Sequence, residues 1–304
     1  MHLLSIRDLT RQAVDDLFRQ AADLKARRKA RDPAAPLAGR VLAMVFEKPS
    51  LRTRVAFEVG MSRLGGRAVY LASQEIQMGV RESVEDVARN LGRWVDVIAA
   101  RTFSQETVEV MARFAGVPVI NALSDLEHPC QALADFFTLS ERGLELGKLR
   151  LAWIGDGNNV CHSILLLAAL TGVEVAVACP PGYEPDRSIQ FAARTLGGRL
   201  LITQDPREAA EGADALYTDV WTSMGWEAER ESRREAFRPY QVNEQLLALA
   251  KPAAVVMHCL PAHRGEEVTA RVLDSPRSVV FDQAENRLYV QEAILLTLLG
   301  VGDV

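Results

Sequence analysis

The chain is poor in cysteine: Cys130, Cys161, Cys179 and Cys259 are its only four, and none stand at the short spacings that hold zinc or form a redox disulfide. That usage points to a reducing cytosol. It also lacks a long apolar run, since the longest, Ile164 to Leu170, is far too short to cross a bilayer. Its first residues, Met1-His2-Leu3-Leu4-Ser5, carry no basic segment ahead of an apolar stretch, so no signal peptide is expected. There is no broad excess of basic residues. With 35 Lys and Arg against 40 Asp and Glu, the formal charge of −5 argues against a general nucleic-acid binder. No short-period repeat or low-complexity tract is present.

What the chain does have is length and core. Its 304 residues, 48% hydrophobic and 25% charged, describe an ordinary globular protein. Two domains of about 150 residues each fit the usual size range. Strand-like runs alternate with helix-like ones: Val41–Phe46, Arg67–Leu71, Val95–Ala100 and Val117–Ile120 in the first half, Leu149–Ile154, Val173–Ala178, Leu200–Ile202, Ala215–Asp219 and Ala254–Met257 in the second. This β/α alternation predicts an α/β fold of two doubly wound parallel sheets. An amphipathic helix over 8–30 opens the chain, Asp32-Pro33 breaks it, and an apolar helix from Tyr289 to Leu299 closes it. A helix from Ala132 to Gly143 spans the change of domain, and the charge-dense Glu227–Arg238 reads as a mobile surface loop or short helix.

The first strand runs into Pro49-Ser50-Leu51-Arg52-Thr53-Arg54. Ser50 is a preferred N-cap, so two arginines and two hydroxyls fall at a helix start. Unpaired N–H groups and the dipole favour phosphate there, and an arginine fork matches phosphate oxygens. A solvated basic helix start is the plainer alternative. Downstream, His128-Pro129-Cys130-Gln131 precedes a helix; His128 either caps it or donates to a carbonyl oxygen that gains charge. Tyr217-Thr-Asp219-Val-Trp-Thr-Ser223-Met224-Gly225 places an acid where α/β sheets bind ligands, suited to an ammonium unless it is an ordinary turn. Met257-His258-Cys259-Leu260-Pro261 also ends a strand, with Cys259 as buried filler or as a polarisable group at a reacting centre. His258 and His263 flank it at spacings that fit no common zinc site, so no metal is expected. Ile154-Gly155-Asp156-Gly157-Asn158-Asn159-Val160 imitates a dinucleotide fingerprint but has Val160 in place of its third glycine, and the next strand ends in Cys179-Pro180-Pro181 rather than an acid. A tight turn presenting Asn159 is the better reading.

Taken together and in this order, S-L-R-T-R, H-P-C-Q, D-V-W-T-S-M-G and H-C-L-P resemble the ornithine carbamoyltransferases over nearly the whole chain. The first two motifs are shared with the aspartate enzymes and specify carbamoyl phosphate; the last two narrow the second substrate. The resemblance implies that residues 1–140 bind carbamoyl phosphate, that 141–304 bind L-ornithine, and that the last helix returns to the first domain. By matched position it assigns Ser50, Leu51, Arg52, Thr53, Gln77, Arg101, His128, Pro129, Cys130, Gln131, Cys259, Leu260 and Arg287 to carbamoyl phosphate. Asn159, Asp219, Ser223 and Met224 fall to ornithine, and Asp219, Cys259, Arg101 and His128 to catalysis. It implies no cofactor or metal, a cytoplasmic trimer or multiple of trimers with Gln77 reaching a neighbour's site, and no nucleic-acid or membrane partner. Leu51 departs from the commoner Thr, and Cys130 occupies a variable place. A carbamoyltransferase for another amine remains an alternative, against which the S-M-G loop argues. A dehydrogenase or a non-catalytic binding protein is the alternative of a different class.

Overall fold

Val41–Phe46 forms strand β1, five of its six residues buried, in the computed structural model, which describes residues 1–29, 34–222 and 227–301. Asp32 and Pro33, expected to break the chain ahead of β1, lie outside the described residues. The chain divides into two compact units, residues 1–134 with 285–304, and residues 135–284.

In the first unit a 3-10 turn, Ile6–Asp8, precedes α1 (Arg11–Lys29), so the opening helix starts later than the apolar pattern suggests. After β1 come α2 (Leu51–Arg63), β2 (Arg67–Ala72), α3 (Ser73–Ile76) and α4 (Val84–Leu91). Next are β3 (Val97–Arg101), α5 (Gln105–Ala115), β4 (Val119–Leu123) and α6 (Pro129–Glu141), whose later residues belong to the second unit. The sheet order is β2-β1-β3-β4, and every pairing is parallel. Ser104 caps α5, and its apolar face, Val108 and Met111, packs with Val87 and Leu91 of α4 on Val45, Ile98 and Ala100 of the sheet. The chain leaves β1 toward β2 on one side and returns to β3 on the other. The C-terminal ends of β1 and β3 are therefore the switch point, where open α/β sheets hold ligands.

The second unit runs β5 (Arg150–Ile154), α7 (Asn159–Thr171), β6 (Glu174–Ala178), α8 (Arg187–Thr195), β7 (Arg199–Thr203), α9 (Pro206–Ala210) and β8 (Ala215–Thr218). It continues through α10 (Arg230–Phe237), α11 (Glu244–Leu247), β9 (Val255–His258), α12 (Ala270–Leu273) and the start of α13 (Val280–Leu298). The order β7-β6-β5-β8-β9 is again all parallel, with its switch point between β5 and β8. The longest apolar run of the sequence lies in α7, where Val160 to Ala168 are all buried: a core helix. Among the described residues no helix is long and apolar enough to cross a membrane.

Of the two sequence readings of the charge-dense stretch, the structure has the short helix, α10, in which Arg233 and Phe237 turn into the core while its other charges face water. The terminal helix begins at Val280, nine residues before the expected start, since Asp282, Gln283 and Asn286 interrupt the apolar pattern in its first turns.

Candidate active site

Each unit gathers its candidate residues at its own switch point. In the first unit, Ser50 has extended backbone, and its hydroxyl accepts from the Thr53 N–H, as a cap should. Arg52 is half-buried in the first turn of α2, and Thr53 is fully buried. Arg101 ends β3, and its carbonyl accepts from the Glu47 N–H at 2.8 Å, tying the β3 end to the β1 end. His128 lies immediately before α6, its carbonyl accepting from the N–H groups of Gln131 and Ala132. From α13, Arg287 donates to Gln131 Oε1 at 3.1 Å and to Thr53 Oγ1 at 2.7 Å. One guanidinium thus joins the first turns of α2 and α6, although it lies more than 150 residues away from either.

Burial, together with these cations, sets the state of His128. Burial first, then the charges of Arg287, Arg101 and Arg52, hold its pKa well below the usual 6.5. The ring is neutral at pH 7 and offers an N–H without adding charge. The linkage has a definite sign. Below about pH 6.5 the unfolded chain binds a proton at this residue that the folded chain refuses, so stability falls as pH falls and is unaffected above that range. We expect His128→Asn to flatten the drop in urea midpoint between pH 7 and pH 5.5. An unchanged drop would place the acid sensitivity elsewhere.

Not every matched residue brings its side chain to this cluster. The Cys130 thiol turns to the Asn121 carbonyl, 3.6 Å away, and burial pushes its pKa up to about 12. Leu51 is 74% exposed, and as the first residue of α2 it turns only its backbone N–H toward the helix start. Pro129 opens α6 and brings no N–H. Arg54, the second arginine of the motif, pairs with Glu58 and lies over the Tyr70 ring, because two positions along a helix point nearly opposite ways. Gln77 is exposed with φ 46°, in a groove lined also by Phe46, Glu47 and Met78.

In the second unit the centre is Asp219, just past β8 and nearly buried. Its Oδ2 accepts from Asn158 Nδ2 at 2.8 Å. Its Oδ1 accepts from the Val220 N–H at 2.8 Å and from the Cys259 thiol at 3.0 Å. Three of about four acceptor positions are filled, leaving room for one more donor. Cys259 is held by the loop after β9: His258 Nδ1 accepts from the Leu260 N–H at 2.8 Å, so its other ring nitrogen carries the proton and donates to Glu267 at 3.1 Å. Leu260 has φ 58° and is followed by a cis bond to Pro261. Ser223 and Met224 lie outside the described residues.

The false dinucleotide signature has a physical explanation. Gly155 has φ 132°, and a Cβ on Gly157 would fall 2.2 Å from the Pro185 backbone nitrogen. Both glycines let the β5–α7 turn tighten so that Asn158, the α7 cap, reaches Asp219. We expect Gly157→Ala to lower stability by about 1–3 kcal/mol, read by urea midpoint. A variant as stable as the parent would show that the turn tolerates a wider path.

Sequence reasoning singled out Asn159 and missed its neighbour. Asn159 is the first helical residue, while Asn158 caps the helix and bonds the acid; the capping preference of Asn was the available signal. Arg233 was hidden among the charges of α10. It donates to Asp156 and to the Trp221 carbonyl, each at 3.0 Å, and so fixes the β5–α7 turn against the residues after Asp219. Burial lifts the Asp156 carboxyl to about 6 despite that arginine.

Among the described residues, two groups have ligand atoms close enough for a metal ion, Asp219 with His258 and Cys259, and His263 with Glu266 and Glu267. In the first, both His258 ring nitrogens and the thiol are committed to the hydrogen bonds given above. In the second, Arg230 and Arg234 approach Glu266 at 3.3 and 3.7 Å and bring competing positive charge.

Comparison with known proteins gives one family match in each half of the chain. The carbamoyl-P binding domain model of the aspartate/ornithine carbamoyltransferases matches residues 1–141, and the Asp/Orn binding domain model matches residues 147–298. The Methanosarcina mazei ornithine carbamoyltransferase is 54% identical over 297 residues, 98% of each chain. The solved structure of the Pyrococcus furiosus ornithine carbamoyltransferase superposes with a TM-score of 0.95 at 48% identity, covering 100% of this chain and 98% of that one. The Thermus thermophilus ornithine carbamoyltransferase gives 0.89 at 51% identity, with 98% of each chain covered. With arginines at the end of β3 and in the first turn of α2 in one unit, a thiol–carboxylate pair in the other, and matches to both domains along the chain, this protein belongs to the aspartate/ornithine carbamoyltransferase family.

Proposed function

We propose that the protein transfers the carbamoyl group of carbamoyl phosphate to the δ-amine of L-ornithine, giving L-citrulline and phosphate. The observation that carries this reading is the neutral, buried His128 beside Arg52, Arg101 and Arg287. Three cations suit a phosphate dianion, and an uncharged N–H suits the carbonyl oxygen of the attached carbamoyl group. The α2 first turn, with Ser50, Leu51, Arg52 and Thr53, takes the phosphate. Arg101, His128 and Gln131 hold the carbamoyl end, with Arg287 bracing both. The neutral amine adds to the carbonyl carbon, the oxygen gains charge toward His128 and Arg101, and the C–O bond to phosphate breaks as the carbonyl reforms.

An alkyl amine has a pKa near 10.4 and is mostly protonated at neutral pH. Asp219, already accepting from Asn158 and Cys259, orients the amino acid and eases loss of that proton. Asn159, Ser223 and Met224 complete the amino-acid contacts, and Leu260 the carbamoyl contacts. In this reading the first unit serves carbamoyl phosphate and the second ornithine. The reaction belongs to arginine metabolism in the cytoplasm, which the four free thiols favour. The test is product formation from carbamoyl phosphate across a panel of amines. Ornithine should exceed lysine, putrescine and aspartate by at least about 100-fold in kcat/KM. Equal or better use of another amine would move the protein to a different member of the family.

We further propose a homotrimer, or a multiple of one, in which the loop after β2 completes a neighbour's phosphate site through Gln77. The exposed apolar residues Leu51, Val55 and Val59 along α2 support a covered outer face. Mixing Arg52→Ala chains with Gln77→Ala chains under subunit exchange should restore activity above either parent, since some sites then pair intact partners. No recovery with proven exchange would mean that each site is built within one chain.

A further inference from the structure

Beneath the thiol–carboxylate pair lies a buried carboxylate that the reaction as written does not use. Asp135 of α6 is fully buried within the second unit. Its Oδ2 accepts from the Tyr217 hydroxyl and its Oδ1 from Gln283 Nε2, both at 2.8 Å. Gln283, on α13, is itself buried, and its Oε1 accepts from the His258 N–H at 3.0 Å. Tyr217 is fully buried in β8, with its ring stacked on Trp153, centroids 4.9 Å apart.

The chain positions of these partners matter. Tyr217 stands two residues before Asp219, and His258 immediately precedes Cys259. Asp135 and Gln283 lie within two residues of the points where the chain passes between its units. One carboxylate therefore reaches the ends of both strands that carry the pair, by one arm through a hydroxyl and by the other through an amide. A buried charge is unfavourable unless its bonds define something an apolar residue of equal volume would not. Here they define the separation of two strand ends whose side chains meet at 3.0 Å.

We propose that Asp135 is a positioning residue for carbamoyl transfer, holding the ends of β8 and β9 through Tyr217 and Gln283 so that Asp219 and Cys259 stay at bonding distance. The inference rests on the reading of those two residues as the ornithine-side groups. Its logic is directional, because Asp135 accepts from both arms and donates to neither. An asparagine cannot do the same. With its amide toward Tyr217, it turns that hydroxyl from donor to acceptor and leaves the buried phenolic proton without the carboxylate; with its amide toward Gln283, it forces the glutamine to turn its oxygen and release the His258 N–H.

The experiment uses the full chain and three variants, Asp135→Asn, Tyr217→Phe and the double change, with kcat, both KM values and thermal midpoints measured. Asp135→Asn should lower kcat/KM for ornithine by about 10- to 100-fold, the scale of small misplacements at a reacting centre, while the carbamoyl phosphate KM stays within twofold. Tyr217→Phe should cost about three- to tenfold, as expected for one hydrogen bond, and keeps the test available if Asp135→Asn does not fold. The double variant should lose less than the product of the two single losses, since Tyr217 acts through Asp135. Folded variants with a lowered midpoint but unchanged ornithine kinetics would overturn the proposal and leave Asp135 a structural group. Equal loss for both substrates would overturn it as well. An unmodified protein that forms no citrulline would instead sink the functional reading, a result distinct from both.

Discussion

Arg52→Ala should abolish useful turnover in a protein that remains folded. The residue stands in the first turn of α2, where Ser50 caps the helix through the Thr53 N–H and the guanidinium adds positive charge near His128. Losing one charged donor at such a centre costs about 10²- to 10³-fold in rate. Stability should shift by no more than about 0.5 kcal/mol, because the side chain is half-exposed and its removal opens no core cavity. Arg52→Lys keeps the charge without the planar fork and should recover part of the loss. Activity of Arg52→Ala within tenfold of the parent would remove the phosphate assignment.

Asp219→Asn should strike the other substrate. The carboxylate is nearly buried, accepts from three donors, and has one acceptor position left for an ammonium. The amide keeps the volume but has one acceptor oxygen, so its –NH2 must face either Asn158 or the Cys259 thiol, both of them donors. Truncating one partner of a buried charged contact costs about 2–5 kcal/mol, which is about 30- to 5,000-fold in kcat/KM for ornithine. Carbamoyl phosphate binding, measured by calorimetry without ornithine, should stay within about threefold because every group assigned to it except Cys259 and Leu260 belongs to the first unit. Loss of carbamoyl phosphate binding with ornithine affinity intact would reverse the division of labour between the units.

Much of this arrangement is readable from local sequence, for physical reasons. The inner parallel strands β1, β3, β5 and β8 announce themselves as short apolar runs because both faces are covered, and α2 announces itself through Ser50, whose capping bond is a one-turn interaction. Other features depend on contacts far apart in the chain. Arg287 meets Thr53 across 234 residues, and no local pattern marks it; only its position in a matched motif did. Arg233 looked like one more surface charge until the fold buried it against Asp156. Cys130 sits inside a binding motif, but the turn of α6 directs its thiol to the β4 backbone. The α13 start was missed because Gln283 and Asn286 are polar groups buried for their hydrogen bonds, which an apolar-periodicity reading counts as surface.

The central claim is a direct transfer between two named substrates, and its most direct test follows both products in one sample. The protein is supplied with carbonyl-13C carbamoyl phosphate and L-ornithine, and 13C and 31P spectra are recorded together. The account predicts one labelled citrulline for each phosphate released, at a rate that depends on ornithine and, at low ornithine, falls by at least about 30-fold in Asp219→Asn. Phosphate release without labelled citrulline, or labelled citrulline formed equally well by Asp219→Asn, would contradict it.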